Sequence, residues 1–319
     1  MNRRQFLSAT LPALALAACS EAPLAPMRIG TFVWPGYEPL FIARSLGLLS
    51  ENEVHLVEFP SAADSMVSFK NGLVDSITVT LDEVLRLVAE GHDLRIVLLM
   101  DYSNGADAIL ARPGIENIAA LKGRKVGIET NNLGAFILSR ALEIHGVAAG
   151  EITNVSLRAD RLEDQFNKGA LDAVVTYEPY RSRLLSRGAR QIFDTTELPS
   201  EILDVMIVRA DALEKYERTL RKLINSWFLA IQHLTQKPED AASRVSVREQ
   251  VTSAQFLESL KLLRFLDRQE NIRMLAKGET SLLALVKKMT ALMQASQLLQ
   301  STVQTAKLFE NSFLKETDK

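Results

Sequence analysis

The feature that most constrains the fold is a repeated alternation of short apolar runs with amphipathic segments. From Met27 to Met100 this alternation predicts four strands separated by helices, and a second series runs from Lys125 to Phe193. An order of this kind implies a parallel sheet covered by helices. Beyond Asp211 the chain has little Gly or Pro and is predicted to be nearly all helical. The sequence therefore predicts two α/β units followed by a helical C-terminal segment.

Two predicted strands flank the second unit, near Tyr102–Leu110 and at Val205–Arg209. Both are placed to cross between the two units, so that the C-terminal segment would complete the first one. The predicted boundaries are therefore 27–103 with 207–319 for the first lobe, and 104–206 for the second.

The charge balance narrows the class of partner. The 319 residues include 37 Lys and Arg against 39 Asp and Glu, and 47% are hydrophobic, as in an ordinary globular protein. Nucleic-acid binding requires a basic footprint, so no nucleic-acid partner is expected. The chain has four histidines, His55, His92, His145 and His233, and their spacing is not that of residues that bind a metal ion. With a single cysteine besides, the sequence predicts no metal site and no cofactor.

The N-terminal residues have the features of an export signal. Arg3 and Arg4 precede an apolar run from Phe6 to Ala18. This run is long enough for the core of a signal peptide and too short to span a bilayer, which requires about 20 residues. Residues 1–18 are therefore predicted to be a cleaved signal peptide.

Cys19 follows this run directly and is the only cysteine of the chain. Small residues before a cysteine resemble a bacterial lipobox, in which that cysteine is lipidated and becomes the new N-terminus. Residues 19–26, with Pro23 and Pro26, then form a short tether. Residues 2–7 also resemble a twin-arginine export motif, and an ordinary signal with two basic residues is the alternative. The predicted location is the periplasmic face of a bacterial membrane, with the protein held there by its lipid.

Four blocks of sequence carry a resemblance to a known family. They are Trp34–Ala43, Ser103–Ala108, Leu121–Glu129 and Leu171–Tyr180. In this order and spacing they resemble the periplasmic substrate-binding proteins of ABC importers for nitrate, sulfonates and taurine, a superfamily that includes binders of thiamine pyrimidine precursors. The resemblance implies a two-lobed, type II (flytrap) periplasmic-binding-protein fold that closes on a small solute. It also implies an ABC permease and its ATPase as partners. The sequence gives no reason for oligomerisation, so a monomer is expected.

The candidate ligand contacts lie where strands end and helices begin. In open α/β sheets, ligands bind beyond the carboxyl ends of the strands and against helix N-termini. Such positions, together with the four blocks, predict contacts from Trp34, Gly36, Tyr37, Thr80, Asp82, Ser103, Asn104, Asp107, Asn131, Asn132, Leu133, Tyr177 and Glu178. Purely structural roles are the alternative to ligand contact. The aromatic residues would then pack in the core, and Thr80 would cap a helix with Glu83 as its partner.

Acidic residues are the main guide to the ligand. Six of them fall at or near the predicted cleft, where basic residues are scarce: Asp82, Asp101, Asp107, Glu129, Glu178 and Asp204. They are either helix caps and hinge residues that face away from the ligand, or the lining of a site that repels simple anions. The second interpretation favours an amine-bearing solute between aromatic walls, such as a pyrimidine-type precursor or an aminosulfonate, over nitrate.

The sequence contains none of the common catalytic motifs. There is no G-x-S-x-G, H-E-x-x-H or P-loop, and no second cysteine to act as a nucleophile once Cys19 carries lipid. The expected function is that of a lipid-anchored solute-binding component of an ABC uptake system, and not of an enzyme. The alternative is a lipoprotein that senses its ligand and signals to a membrane kinase or cyclase.

Overall fold

The computed structural model describes residues 24–129, 133–276 and 280–315. The predicted signal peptide, the lipidation site Cys19 and the candidate contacts Asn131 and Asn132 lie outside the described residues. Within the described ranges, no helix is both long enough and apolar enough to cross a membrane.

Strands and helices alternate through the first two thirds of the chain. The strands are β1 Met27–Thr31, β2 Val54–Glu58, β3 Ser76–Thr80, β4 Leu94–Ser103, β5 Asp107–Ala111, β6 Lys125–Ile128, β7 Thr153–Ser156, β8 Ala173–Tyr177, β9 Arg190–Asp194, β10 Leu203–Arg209 and β11 Leu263–Phe265. The α-helices are α1 Glu38–Ser45, α2 Ala62–Lys70, α3 Leu81–Ala89, α4 Leu133–Ile144, α5 Ala159–Asn167, α6 Tyr180–Ser186, α7 Glu217–Gln236, α8 Pro238–Val245, α9 Ser253–Leu260, α10 Arg268–Met274 and α11 Ser281–Ala295. The C-terminal third is helical apart from the short strand β11 and irregular connections.

The strands form two separate sheets. The first contains β11, β4, β10, β3, β1 and β2, in that order across the sheet. β1 is parallel to β2 and β3, whereas β10 runs antiparallel between β3 and β4. The second sheet has the order β7, β6, β8, β5 and β9, and β5 is antiparallel to both of its neighbours. The predicted pair of α/β units is confirmed, since each unit is built around its own sheet.

Local sequence signals explain where the first helices begin and end. Ser61 precedes α2, and its hydroxyl oxygen accepts a hydrogen bond from the backbone N–H of Asp64 at 3.2 Å. The chain leaves α2 and α3 through Gly72 and Gly91, whose φ angles of +70° and +91° favour glycine. These helix ends agree with the sequence prediction and direct the chain into β3 and β4.

The two units pack against each other through a shared hydrophobic core. β3 and β5 are buried along their whole length, as expected for central strands that are covered on both faces. The main hydrophobic cluster includes residues of both sheets, for example Ile77 in β3 and Val175 in β8. The two units therefore lie in close contact in this structure.

The chain passes between the sheets at two short connections, residues 104–106 and 195–202. Gly105 in the first connection has a φ angle of +111°, which residues with a side chain rarely adopt. Thr195 in the second is fully buried. Its hydroxyl oxygen accepts a hydrogen bond from the backbone N–H of Gly105 at 2.8 Å and lies 2.7 Å from the hydroxyl of Ser103. The two connections are therefore bonded directly to each other.

We expect Thr195→Val to destabilise this junction. Valine has nearly the same shape but no hydroxyl group, so the buried N–H of Gly105 would lose its partner, at a cost of about 1–3 kcal/mol in the free energy of unfolding. Urea unfolding followed by circular dichroism measures the loss. Thr195→Ser keeps the hydroxyl group and is the matched control, which should retain most of the stability. Equal losses in the two variants would contradict the assignment.

Candidate functional site

At one edge of the first sheet, the ends of β3 and β4 lie beside the start of β10, and all three carry polar residues. In the strand register, Asp204 near the start of β10 lies opposite Thr80 at the end of β3 and opposite Asp101 near the end of β4. Because β10 is antiparallel to its neighbours, its first residues meet their last ones. This edge of the sheet therefore carries two carboxyl groups and one hydroxyl group.

The second sheet presents a matching edge. Tyr177, the last residue of β8, pairs with Asp107, the first residue of β5, and Glu129 directly follows β6. β6 and β8 are neighbours in the sheet, so these three residues lie along one edge. Both connections between the sheets attach at this end of their strands, which places the two polar edges opposite each other.

Residues of both edges enclose a cavity of about 40 Å³. Its lining combines aromatic, acidic and apolar residues: Phe32, Trp34, Ala62, Thr80, Glu83, Asp107, Glu129, Leu133, Gly134, Ile137, Leu162, Val175, Thr176, Tyr177 and Asp204. A buried water molecule needs roughly 10–15 Å³, so the cavity has room for water. In this form of the protein the two units are in contact around a small cavity.

Aromatic rings from both units meet at the cavity. The ring centroid of Trp34, which follows β1, lies 6.0 Å from that of Tyr177, and the centroid of Phe32 lies 6.2 Å from the same ring. Tyr37 extends the cluster at 5.3 Å from Phe32, as does Tyr180 at 5.4 Å from Tyr177. All four pairs have the edge-to-face geometry that stabilises aromatic contacts. Trp34 and Tyr177, the two predicted walls, thus line one cavity from opposite units.

Two buried aspartates of the first sheet adjoin these rings. The hydroxyl of Tyr37 donates a hydrogen bond to Oδ1 of Asp204. Burial raises the pKa of Asp101 to about 8, although the neighbouring Trp34 indole partly offsets this effect. Burial, followed by the charge of Asp101, also raises the pKa of Asp204 well above its ordinary value. Both environments therefore favour the protonated carboxyl group near neutral pH.

Two further acids in the lining are perturbed in the same direction. Burial raises the pKa of Asp107 to about 7 against a hydrogen bond from Ser103, and burial together with the charge of Asp82 raises the pKa of Glu83 to about 8. No lysine or arginine belongs to the lining among the described residues. In the same part of the chain, no group of three or more His, Cys, Asp or Glu side chains is placed to hold a metal ion.

The start of α3 contributes a hydroxyl group to the site. The backbone N–H of Thr80 donates to Oε2 of Glu83 at 3.1 Å, as expected for the predicted capping pair. The hydroxyl of Thr80 donates to Oδ1 of Asp82 at 2.6 Å, and Asp82 forms an ion pair with Arg86 at 3.5 Å. Asp82 is thus engaged within its own helix, whereas Thr80 reaches the cavity.

Of the predicted contacts that are described, five line the cavity: Trp34, Thr80, Asp107, Leu133 and Tyr177. Six others do not belong to its lining: Gly36, Tyr37, Asp82, Ser103, Asn104 and Glu178. Glu178 accepts hydrogen bonds from Arg181 and from the hydroxyl of Ser182, both at 2.9 Å, and Asn104 is exposed. Their role as ligand contacts stays a prediction.

Gly36 has a steric role that can be read directly from its surroundings. A Cβ atom at this position would overlap the carboxylate of Asp101 and the indole nitrogen of Trp34. The absence of a side chain therefore allows the carboxylate and the ring to lie close together, and it fixes the position of the Trp34 wall.

Sequence reasoning missed part of the lining. Phe32 follows β1 just as Trp34 does, so the signal that identified one ring applies equally to the other. The sequence identifies Glu83 only as a helix-cap partner. The structure shows that a residue in this role can also line a cavity. Gly134 and Ile137, from α4, carry no polar group that would mark them as part of a site.

The sequence profile of the NMT1-like family matches residues 20–247. The chain belongs to this family. The matched range contains ten of the eleven strands named above, and β11 lies beyond it.

Two curated relatives are named as aliphatic sulfonates-binding proteins. The relative from Escherichia coli is 28% identical over 199 residues, which cover 60% of this chain and 62% of that protein. The relative from Bacillus subtilis is 28% identical over 183 residues, which cover 54% of each chain. The matches thus span little more than half the length of these relatives. Their names describe binding proteins, and neither name refers to catalysis or to signalling.

A solved structure shares the fold. The alkanesulfonate-binding protein SsuA from Xanthomonas axonopodis, bound to MOPS, matches with a TM-score of 0.75 at 19% sequence identity. The match covers 89% of this chain and 97% of that chain. The predicted two-lobed periplasmic-binding-protein fold is therefore confirmed, and the two sheets are the centres of its lobes.

Proposed function

We propose that this protein is the solute-binding component of an ABC import system and that it captures a small organic solute between its two lobes. The observation that carries the proposal is the cavity between the facing edges of the sheets, with Trp34 on one side and Tyr177 on the other. A solute that touches both walls favours the closed form, because only that form brings the walls together. The names of the curated relatives agree with this role.

The composition of the cavity favours an organic solute over a simple inorganic anion. Four carboxyl groups contribute to the lining, and no basic side chain of the described residues joins them. The rings of Phe32, Trp34 and Tyr177 offer apolar surfaces to a carbon skeleton. A sulfonate, an aminosulfonate or a pyrimidine-type amine are the candidate solutes.

A solute that is buried between the two lobes can enter only when the lobes separate. The connections at 104–106 and 195–202 are the hinge, since they join the two sheets. Opening would also break the ion pair between Asp64 of the first lobe and Arg158 of the second, which are 3.3 Å apart.

Thermal shift and tryptophan fluorescence test this function. The chain has two tryptophans, and Trp227 is fully buried in the core, so Trp227→Phe leaves Trp34 as the reporter. In a panel of alkanesulfonates, taurine, arylamines and aminopyrimidines, at least one compound should raise the melting temperature and change the Trp34 emission. A compound that binds equally well to Trp34→Ala and to Tyr177→Ala would place the site elsewhere.

We also propose that a lipid on Cys19 holds the protein on the periplasmic side of a bacterial membrane, after export that fits the twin-arginine route. Cys19→Ala should release the protein from the membrane fraction of expressing cells, because no other cysteine can carry the lipid. Fractionation followed by immunoblotting measures the shift. Ser20→Ala keeps the cysteine and should stay with the membranes. Retention of the Cys19→Ala variant in that fraction would contradict the anchor.

A further inference from the structure

The cavity is lined by acids from both lobes and, as far as the structure describes the chain, by no base. Glu83 and Asp204 lie at the first sheet, and Asp107 and Glu129 lie at the second. Coulomb interactions are stronger in low-dielectric surroundings than in water. A cation in the cavity favours the ionised form of these carboxyl groups, so a lining of this composition accepts a cation more readily than an anion.

In two of these carboxyl groups, one oxygen atom is available to accept a hydrogen bond from a ligand. Asp107 and Asp204 are each 2% exposed. Oδ2 of each makes no hydrogen bond to any part of the chain that the structure describes. On Asp204 the other oxygen already accepts the hydrogen bond from Tyr37. A buried polar atom without a partner is costly, and a ligand that donates a hydrogen bond to it removes that cost.

Two helix starts near the cavity already carry acids of the protein at backbone N–H groups that could otherwise bind an anion. Glu83 accepts the backbone N–H of Thr80 at the start of α3, at 3.1 Å. Glu178 accepts the backbone N–H of Ser182 in the first turn of α6, at 3.3 Å. An anionic ligand at either position would have to displace one of these carboxylates. Both positions therefore disfavour an anion as the group that the cleft grips.

Resting on the proposed function of the cleft, we propose that the solute is an organic cation whose ammonium or amidinium group donates hydrogen bonds to Asp107 and Asp204 together. The rest of the solute lies against Trp34 and Tyr177, whose faces also attract a cation. Because the two aspartates belong to strands of different sheets, one cation that bridges them holds the sheets together. An aminosulfonate meets this requirement through its amine.

Three probes of nearly the same shape separate charge from size. Benzamidinium, benzamide and benzenesulfonate share a benzene ring and carry a positive, a neutral and a negative group. In calorimetry with the whole protein, benzamidinium should bind more than about tenfold more tightly than benzamide, because charge-assisted hydrogen bonds to two carboxylates are lost in the neutral probe.

Two results would overturn the cation proposal. One is equal binding of benzamidinium and benzamide, and the other is benzenesulfonate binding as tight as that of benzamidinium. If benzenesulfonate bound to the wild type and no longer to Trp34→Ala, the proposed capture function would stand while the charge preference failed. Binding of any probe that both wall variants leave unchanged would instead contradict the proposed function itself.

Charge-neutral variants identify the two acids. Asp107→Asn and Asp204→Asn keep the shape of the side chain and remove a buried carboxylate, so both variants should fold. Each should weaken benzamidinium binding more than about tenfold and leave benzamide binding unchanged. Asp211→Asn is the control, because Asp211 lies beyond the far end of β10 with its side chain 69% exposed, and it should change neither affinity. Unchanged benzamidinium binding in both cavity variants would overturn the assignment.

Discussion

Trp34→Ala should weaken solute binding more than tenfold, and so should Tyr177→Ala. The two rings lie 6.0 Å apart and belong to different lobes, so each provides one wall of the closed cavity. Aromatic contacts contribute about 0.5–1.5 kcal/mol beyond the burial of their area, and loss of the buried area adds to that figure. Calorimetry with the tightest ligand of the solute panel measures the change in Kd.

The matched control for these variants is Trp227→Phe. Trp227 is fully buried and packs against Phe265, with ring centroids 6.3 Å apart, and it does not line the cavity. This variant should bind the solute as the wild type does. If Trp34→Ala and Tyr177→Ala both kept the wild-type Kd, the two rings would not be walls of the solute site.

The ligand-free protein should lose stability as the pH rises from about 4 to about 8. Unfolded Asp and Glu titrate near pH 4, whereas burial raises the pKa of Asp107 to about 7 and the pKa of Asp101 and Glu83 to about 8. Between these values the folded state keeps protons that the unfolded state has released. The contribution of these three groups to the free energy of unfolding therefore falls with rising pH and becomes level above about pH 8.

Melting temperatures at pH 5.0 and pH 8.5 test this dependence. One unit of pKa difference corresponds to about 1.4 kcal/mol, so we expect a fall of at least about 5 °C over this interval. In Asp107→Asn one titrating group is missing, and the fall should be smaller. A melting temperature that is constant or rises between the two pH values would contradict the raised pKa values.

The order of strands and helices could be predicted from the sequence because it depends on local patterns. Buried strands appear as short apolar runs, and the helices between them end at glycines such as Gly72 and Gly91. The walls of the site follow from the same reasoning, because Trp34 and Tyr177 stand where strands end. Position in an α/β sheet therefore predicts which residues meet, even when no motif is present.

Pairings between distant parts of the chain could not be predicted. Leu263–Phe265 lies among helices and is a strand only because it pairs with β4. Three residues give no periodicity from which to recognise it. The predicted lobe boundary at 207 also depends on a pairing between distant strands. β10 belongs to the first sheet from Leu203 onward, but sheet membership alone does not define where a lobe ends. The boundaries remain a prediction.

The arrangement of side chains in the site could also not be predicted from the sequence. The sequence predicts that acids gather at the cleft, and of those six acids the structure places Asp107, Glu129 and Asp204 in the lining. Which oxygen atoms are bonded and which are left over depends on side-chain conformations, as the hydrogen bond from Tyr37 to Asp204 illustrates. Asn131 and Asn132, predicted at the start of α4, lie outside the described residues.

The position of β10 at the centre of the first sheet has a consequence for how the chain folds during its synthesis. The second sheet draws all its strands from 107–194, so it can assemble as soon as those residues have emerged. The first sheet must wait for β10, because that strand separates β3 from β4. Until then two apolar strands are left without their shared neighbour, and this interval is when the nascent chain most needs protection from aggregation.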